Sequence, residues 1–337
     1  MEKQVNHYVP KFYLRLFSGN KNFIAKYMFE QNKMISHSSI DDTGGKYGLY
    51  GSNSNGIEKW FMNRENDWSV AIKKVVEKEM IDPNDYGLLL SFLVYSDNRT
   101  LKQADRQNEI VTQQVQAYIR IYRDQGEIDI SDEEIESIKI SYDIPIAHPY
   151  NVSCDLVDCC RDLNIGLIKN TSEIEFITSD NPVAKYNYLY VKKGYFRPFG
   201  YCHRGVIFLF PLTPRLCLMV YDDVTYVVIG FVNGVINIDD EKEILKLNRL
   251  FVNVAYKEIY LPNDTDNATI EKLKSYRTSQ KHSPLKILHS KNAQLHIRQA
   301  ETFFEDLDLN FLIPKEEYLK MNYPADMGGL MRPTTIC

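Results

Sequence analysis

The hydrophobic pattern changes its period near the middle of this 337-residue chain, and that change limits the fold more than any other feature. In the first half, apolar residues from Ile57 to Val76 recur at the three- and four-residue spacing of an amphipathic helix. In the second half, apolar runs such as Val206 to Phe210 and Leu216 to Tyr221 have the length of strands. The pattern predicts an α+β protein in which an antiparallel sheet packed with helices follows a long helical pair.

A short helix and a hairpin are predicted before the long helices. Pro10 suits the first helical position and a glycine lies beyond the natural end, which predicts a helix from Pro10 to Ser18. Alternating apolar residues from Phe23 to Phe29, followed by a polar turn, predict a β-hairpin. The chain from Tyr86 to Tyr122 contains no proline, so we expect one helix of about ten turns there.

Further strands and one helix are predicted in the second half. The runs Ile165 to Lys169 and Glu175 to Thr178 flank a polar turn, which predicts a second hairpin. Another strand is expected from Tyr226 to Val232. Asp239 or Asp240 can cap a helix that continues to about Tyr256.

Composition limits the class of protein. Hydrophobic residues at 44% and charged residues at 25% are ordinary for a globular protein, and the longest apolar run is far shorter than a membrane-spanning helix. Six cysteines without paired spacing, and an N-terminus without a signal pattern, predict a cytoplasmic protein with no membrane partner. No phosphate-binding loop or zinc-binding motif occurs, so we expect no cofactor and no metal.

Charge is unevenly distributed along the chain. The net charge is −5, yet the segment from Lys272 to Arg298 contains seven lysines or arginines, three histidines and no carboxylate. Such a segment either follows the phosphates of a nucleic acid or nucleotide or forms a solvated helical face balanced by acids elsewhere. We therefore divide the chain into a single α+β core domain (1–262), a basic helical segment (263–312) and an irregular C-terminal tail (313–337). The sequence does not indicate an oligomeric state.

His7 directly precedes the predicted N-terminal helix. The positive end of the helix dipole disfavours a protonated imidazole, which predicts a neutral His7 at pH 7. A neutral imidazole can accept a proton. In the alternative interpretation, the ring only makes a hydrogen bond that holds the chain where it enters the helix.

Two further residues have both a structural and a functional interpretation. Arg99 interrupts an apolar face of the long predicted helix and needs an anionic partner, which is either a structural carboxylate or a ligand phosphate or carboxylate. Asp180 follows a predicted strand, in a turn of the small polar residues that commonly form turns. Its carboxylate could alternatively orient His7, accept a proton or bind a metal from that rigid position.

Several separated places in the chain resemble an uncharacterised bacterial family of proteins with a domain of unknown function. They are the opening motif His7 to Phe17, the pair Arg99-Thr100, the turn Ser179 to Pro182, the connection Pro211 to Pro214 and the helical Asn248. The resemblance covers about residues 5 to 262. The resemblance indicates which positions are important, but it does not imply a reaction. Family members often have proline where this chain has Leu101, so we expect the long helix to continue through that point.

These residues suggest three functions. If His7, Arg99 and Asp180 converge, His7 can transfer a proton, Asp180 can hold its tautomer and Arg99 can neutralise a phosphoryl group. This predicts a hydrolase, specifically a metal-independent, nuclease-like effector that cleaves phosphodiesters. Substrate contacts are expected from Asn181, Asn248, Lys281 and Lys286.

Two alternatives accompany the hydrolase hypothesis. One is a non-catalytic module that binds a nucleotide or nucleic acid through Arg99 and the basic segment. The other is a polar core in which the same groups satisfy one another. All three hypotheses depend on geometry, and the catalytic one requires the helix at Pro10 to pack against the sheet beside Asp180.

Overall fold

A computed structural model describes residues 5–51, 55–195, 199–262, 265–277, 286–289, 295–298, 305–321 and 331–333. Within these residues there are ten α-helices and fifteen strands. The strands form a four-stranded sheet, a five-stranded sheet and three two-stranded ribbons. The α+β class predicted from the sequence is confirmed.

The N-terminal region contains the predicted helix and hairpin, and the strands that precede and follow them in the chain pair as a two-stranded ribbon. Its elements are β1 (Val5–His7), α1 (Lys11–Phe17), β2 (Phe23–Met28), β3 (Lys33–Ser39) and β4 (Gly45–Tyr47). Pro10 is the N-cap of α1, so the helix begins at Lys11, one residue later than predicted. β1 pairs antiparallel with β4, which places His7 opposite Gly45.

Five helices follow in the first half. They are α2 (Asn55–Lys78), α3 (Tyr86–Asn98), α4 (Leu101–Asp124), α5 (Asp132–Ser137) and α6 (Ala147–Cys159). The prediction of one helix from Tyr86 to Tyr122 is wrong, because the helix is interrupted at Arg99 and Thr100. Thr100 has extended backbone angles, and its hydroxyl accepts a hydrogen bond from the Gln103 amide. A threonine N-cap thus starts α4 without a proline.

The second half supplies most of the strands. Its elements are β5 (Asn164–Asn170), β6 (Thr178–Ser179), β7 (Ala184–Tyr186), α7 (Tyr188–Lys192), β8 (Ile207–Thr213), β9 (Leu216–Tyr221), β10 (Tyr226–Val228), β11 (Val235–Ile238), α8 (Glu241–Val254) and β12 (Glu258–Leu261). The five-stranded sheet has the order β11-β5-β9-β8-β7, and the four-stranded sheet has the order β3-β2-β12-β6. All these pairs are antiparallel except β11 with β5.

The second hairpin predicted from the sequence is wrong. β5 lies between β9 and β11, so both of its edges are occupied. The segment after it therefore has no free edge of β5 to pair with. It instead forms β6 at the edge of the four-stranded sheet, paired with β12.

Helix α1 connects the two larger sheets. The Tyr13 hydroxyl donates a hydrogen bond to the carbonyl oxygen of Pro211 in β8, at 2.6 Å. The same hydroxyl lies 2.6 Å from Oγ1 of Thr178 in β6. The Tyr13 ring also packs on Phe210, with ring centroids 5.0 Å apart. The expectation that the N-terminal helix packs beside the Asp180 turn is therefore confirmed.

The C-terminal region differs from the predicted helical segment and irregular tail. Its elements are α9 (Asn267–Ser275), β13 (Lys286–His289), β14 (Leu295–Arg298), β15 (Leu312–Pro314) and α10 (Glu316–Lys320). β13 and β14 pair antiparallel with β-branched Ile287 opposite Ile297, a combination that favours strand over helix. β15 pairs with β10, and Leu309 and Leu312 are buried in the core. The boundaries of the three predicted segments stay predictions. None of the described helices has the length and apolar character needed to cross a membrane.

Candidate functional site

The predicted site residues lie in two polar regions. The His7 region consists of His7, Lys11, Arg15, Asp41, Tyr50, Glu65 and Arg99. The Asp180 region consists of Lys26, Asp180, Asn181, Tyr256, Glu258 and Tyr260. Within the described part of the chain, no hydrogen bond joins His7 to Asp180.

His7 is half-buried at the end of β1, and one hydrogen bond fixes its ring. Its Nε2 lies 3.0 Å from the carbonyl oxygen of Asp41. Because a carbonyl oxygen can only accept, Nε2 carries the proton and Nδ1 carries the lone pair. Burial, and then the positive charge of Lys11, lower the pKa of His7 below its usual value. The lowered pKa favours the neutral form of His7 at pH 7, and burial, not a helix dipole, is its main cause.

The side chain of Asp41 lies beside His7 and is largely exposed to solvent. Its Oδ1 is 2.5 Å from Nζ of Lys11. That hydrogen bond is the main cause of the lowered pKa of Asp41, and the positive charge of Arg15 contributes further. The backbone of Asp41 is held separately, since its amide donates to Oγ of Ser39. Asp41 thus uses its carbonyl to orient His7 and its carboxylate to contact a lysine.

Arg99 is 3% exposed and lies behind the His7 backbone. Its Nη2 donates a hydrogen bond to the carbonyl oxygen of His7, and its Nη1 lies 2.8 Å from Oε1 of Glu65. Its guanidinium carbon is 4.2 Å from the centroid of the Phe61 ring. Burial would lower the pKa of Arg99, but Tyr50 and Glu65 outweigh that effect and raise it. The anionic partner required by the sequence pattern is therefore the structural carboxylate of Glu65.

Tyr50 is a site residue that sequence reasoning did not identify. Its buried hydroxyl donates a 2.9 Å hydrogen bond to the same carbonyl oxygen of His7 that Arg99 contacts. Its amide donates to Oδ1 of Asn6, at 3.2 Å. Tyr50 lies within a glycine-, serine- and asparagine-rich stretch, residues 41–56, where no periodic pattern marks a buried aromatic residue. Two donors therefore fix the position of the His7 backbone.

Asp180 is 1% exposed, and its carboxylate binds the backbone between α8 and β12. Oδ1 accepts from the amide of Tyr256 at 2.8 Å, and Oδ2 accepts from the amides of Lys257 at 2.7 Å and Glu258 at 3.3 Å. Burial raises the pKa of Asp180 to about 6, against the opposing effect of these hydrogen bonds. Both oxygens are already used to hold the chain where α8 ends and β12 begins.

A buried ion pair lies next to Asp180. Nζ of Lys26 is 3.0 Å from Oε2 of Glu258, and the hydroxyl of Tyr260 donates to Oε1 of Glu258 at 2.9 Å. Burial raises the pKa of Tyr8, and the negative charges of Asp180 and Glu258 raise it further. Tyr8 is the chain neighbour of His7, so it lies between the two polar regions.

The two predicted asparagine ligands contact backbone groups. Nδ2 of Asn181 donates to the carbonyl oxygen of Val254 at 2.9 Å. Asn248 accepts from the amide of Ile177 at 3.1 Å and donates to the carbonyl of Glu175 at 2.8 Å. Both amides therefore attach α8 to the strand and turn that contain Asp180.

The basic segment is described only in part. Lys281 lies outside the described residues, and Lys286 is the first residue of β13. Arg277 donates to three backbone carbonyls at the end of α8, those of Val252, Ala255 and Tyr256. Its guanidinium carbon lies 3.8 Å from the centroid of the Phe29 ring. At least this cation of the segment has a structural role.

The described residues contain no group of three or more histidine, cysteine or carboxylate side chains that could hold a metal ion.

Comparison with curated proteins gives no significant match, and comparison with solved structures gives none either. A family model described as a protein of unknown function, DUF4238, matches residues 6–265. The matched residues include both polar regions and end before β13.

Proposed function

Since the chain belongs to DUF4238, a family of proteins of unknown function, we propose its activity from the geometry of the His7 region. We propose a metal-independent, nuclease-like hydrolase of phosphodiesters in which His7 is the catalytic base. One observation carries the proposal. The hydrogen bond from Nε2 to the Asp41 carbonyl leaves the Nδ1 lone pair of a neutral, half-buried imidazole without a partner among the described residues.

The proposed reaction uses the lone pair of His7. Nδ1 takes a proton from a water molecule while the water oxygen forms a bond to phosphorus. The ester bond from phosphorus to the leaving oxygen breaks, and the leaving oxygen takes a proton from solvent. The pKa of His7 is lowered, so the ring is in the required neutral form at pH 7.

The other two residues that we predicted to be catalytic have supporting positions. Arg99 contacts the carbonyl oxygen of His7, so we propose that it positions the base and does not touch the phosphoryl group. Asp180 binds backbone amides, so we propose that it fixes the turn beside α1. A phosphodiester is favoured as substrate because positive charge borders the base, from Lys11 in particular.

Two substitutions of His7 test the proposal. We expect His7→Ala to reduce hydrolysis of bis(p-nitrophenyl) phosphate and of labelled RNA and DNA by about 10²- to 10⁴-fold, the usual contribution of a general base. His7→Gln should lose as much, because an amide can still donate to the Asp41 carbonyl but cannot take a proton. Melting temperatures should stay within about 2 °C of wild type, since a partly exposed side chain contributes little to stability.

His37→Ala is the matched control, because His37 is exposed on β3, where its ring contacts that of Phe23. It should retain full activity. A folded His7→Ala protein with wild-type turnover would reject the mechanism. The non-catalytic binding module is favoured instead if the wild-type protein binds oligonucleotides and cleaves none of the substrates.

A further inference from the structure

We propose that Lys11 and Arg15 form a phosphate-binding subsite beside His7, which the Asp41 carboxylate occupies in the free protein and a substrate phosphate takes over. The inference rests on the proposed function for its ligand class, a phosphodiester of a nucleic-acid strand. It adds a binding site, and it gives Asp41 the role of an internal competitor for that site.

The two cations lie on the same face of one helix. Lys11 and Arg15 are four residues apart in α1, a spacing that places side chains one above the other. Nζ of Lys11 is 2.5 Å from Oδ1 of Asp41. Arg15 and His7 are both close enough to Asp41 to lower its pKa. The carboxylate therefore lies beside two cations that can each bind an anion, Lys11 in direct contact and Arg15 within range of its charge.

This carboxylate can be displaced. The side chain of Asp41 is 71% exposed and that of Lys11 is 38% exposed. Exposed ion pairs contribute little to stability, so a phosphate that binds more groups can replace one. In the described part of the chain the Arg15 guanidinium has no hydrogen bond and no ion pair, which leaves its planar set of donors available for bidentate contact with phosphate.

The location links this subsite to the proposed base. The backbone carbonyl of Asp41 holds Nε2 of His7 at 3.0 Å, and the carboxylate of the same residue contacts Lys11. A phosphate in place of the carboxylate would therefore lie beside the imidazole. Replacing this carboxylate leaves the orientation of His7 unchanged, because that orientation depends on the main chain.

Two matched substitutions test whether Asp41 is a competitor. Asp41→Asn removes the charge and keeps both main-chain hydrogen bonds of the residue, and Asp42→Asn removes the same charge from the exposed neighbour. The probes are fluorescein-labelled 12-nucleotide RNA and DNA, with binding measured by fluorescence anisotropy. We expect Asp41→Asn to tighten binding about threefold, the scale of one exposed charge interaction, and Asp42→Asn to change it much less.

Removing the cations should have the opposite effect. Lys11→Ala and Arg15→Ala should each weaken binding. Each should also reduce the magnitude of the slope of log K against log salt by about one, because the loss of one phosphate contact lowers the number of counterions released on binding. Lys33→Ala, an exposed lysine on β3, serves as the control and should leave the slope unchanged. Inorganic phosphate should compete with the oligonucleotide in wild type and compete less in Arg15→Ala.

Two results would overturn the subsite. One is equal binding by Asp41→Asn and Asp42→Asn, and the other is Lys11→Ala and Arg15→Ala binding like Lys33→Ala. A failure of the hydrolase proposal is distinguishable from both. His7→Ala should abolish turnover and retain most of the binding, whereas a wild-type protein that shows these binding shifts and no turnover keeps the subsite and loses the hydrolase.

Discussion

The two polar regions contain similar side chains and differ in their access to water. Asp41 in the His7 region is largely exposed and contacts a lysine side chain, whereas Asp180 is 1% exposed and contacts three backbone amides. The pKa of Asp41 is lowered by its hydrogen bond with Lys11, and the pKa of Asp180 is raised to about 6 by burial. A carboxylate with free access to water can exchange its partner for a ligand. A carboxylate that binds buried amides cannot do so without loosening the fold.

The same contrast applies to the cations. Arg15 and Lys11 are partly exposed on α1, while Arg99 is buried under the His7 backbone and paired with Glu65. The difference shows that residue type alone does not identify a binding group. We therefore expect substitutions of the buried residues, Arg99 and the Asp180 region, to change stability, and substitutions of the partly exposed residues of the His7 region to change binding or turnover.

The largest stability effect is expected at Asp180. At pH 5, Asp180→Ala should lower the free energy of unfolding by about 2–4 kcal/mol, because three amides lose their acceptor; a fully buried one costs about 1–3 kcal/mol, and two of the three are only partly buried. Urea denaturation followed by circular dichroism measures this change. Asp240→Ala is the matched control, because Asp240 caps α8 from an exposed position and its loss should cost about 1 kcal/mol. A variant as stable as wild type would contradict the structural role of Asp180.

The pH dependence of that effect follows from the pKa of Asp180. In the folded protein this pKa is about 6, above the usual 3.8, so protonation favours the folded state. The stabilisation is complete below the unfolded-state pKa and is lost as the pH rises through 6. The stability deficit of Asp180→Ala should therefore be largest near pH 4 and shrink towards pH 7. A deficit that grows with pH would show that the hydrogen bonds outweigh burial.

An intermediate effect is expected at Arg99. Arg99→Met keeps most of the side-chain volume and should lower the free energy of unfolding by about 1–3 kcal/mol, because the His7 carbonyl loses a buried donor and Glu65 its partner. The salt dependence of oligonucleotide binding should stay as in wild type, since this arginine does not reach the surface. A stable variant with a smaller salt slope would instead place Arg99 in contact with a ligand.

Much of the fold could be predicted because single segments carry clear local patterns. α1, the first hairpin, β8 and β9 follow from apolar spacing, glycine and proline. The break between α3 and α4 was missed because Thr100 starts a helix through one hydrogen bond, and the polar interruption at Arg99 was interpreted as a charged position within one helix. The partners of β5 and β6 depend on which strand edges are free, and this is decided by segments far away in sequence.

The candidate site was less predictable than the fold. The motif residues His7, Arg99 and Asp180 were found, but their partners come from positions with no local signal. Asp41 and Tyr50 lie on either side of β4, and they bring one carbonyl and one hydroxyl to His7. Glu65 is one of many charged residues on α2, and only the packing of α2 against α3 selects it as the partner of Arg99.

The smallest expected effect gives the most direct test of the His7 region. Lys11 lowers the pKa of His7 and Asp41 raises it, so Lys11→Met and Asp41→Asn should shift that pKa in opposite directions, upward and downward respectively. A proton NMR titration of the ring, assigned through His7→Gln, measures both shifts without requiring any activity. Asp42→Asn is the control and should shift the pKa of His7 less than Asp41→Asn does, because its carboxylate is not among the groups that perturb His7.

The acidic limb of the pH–rate profile should move with the titration, to higher pH in Lys11→Met and to lower pH in Asp41→Asn, since the proposed base acts only when deprotonated. A rate profile that stays fixed while the His7 pKa moves would assign the base to another residue and leave the phosphate subsite as the function of this region.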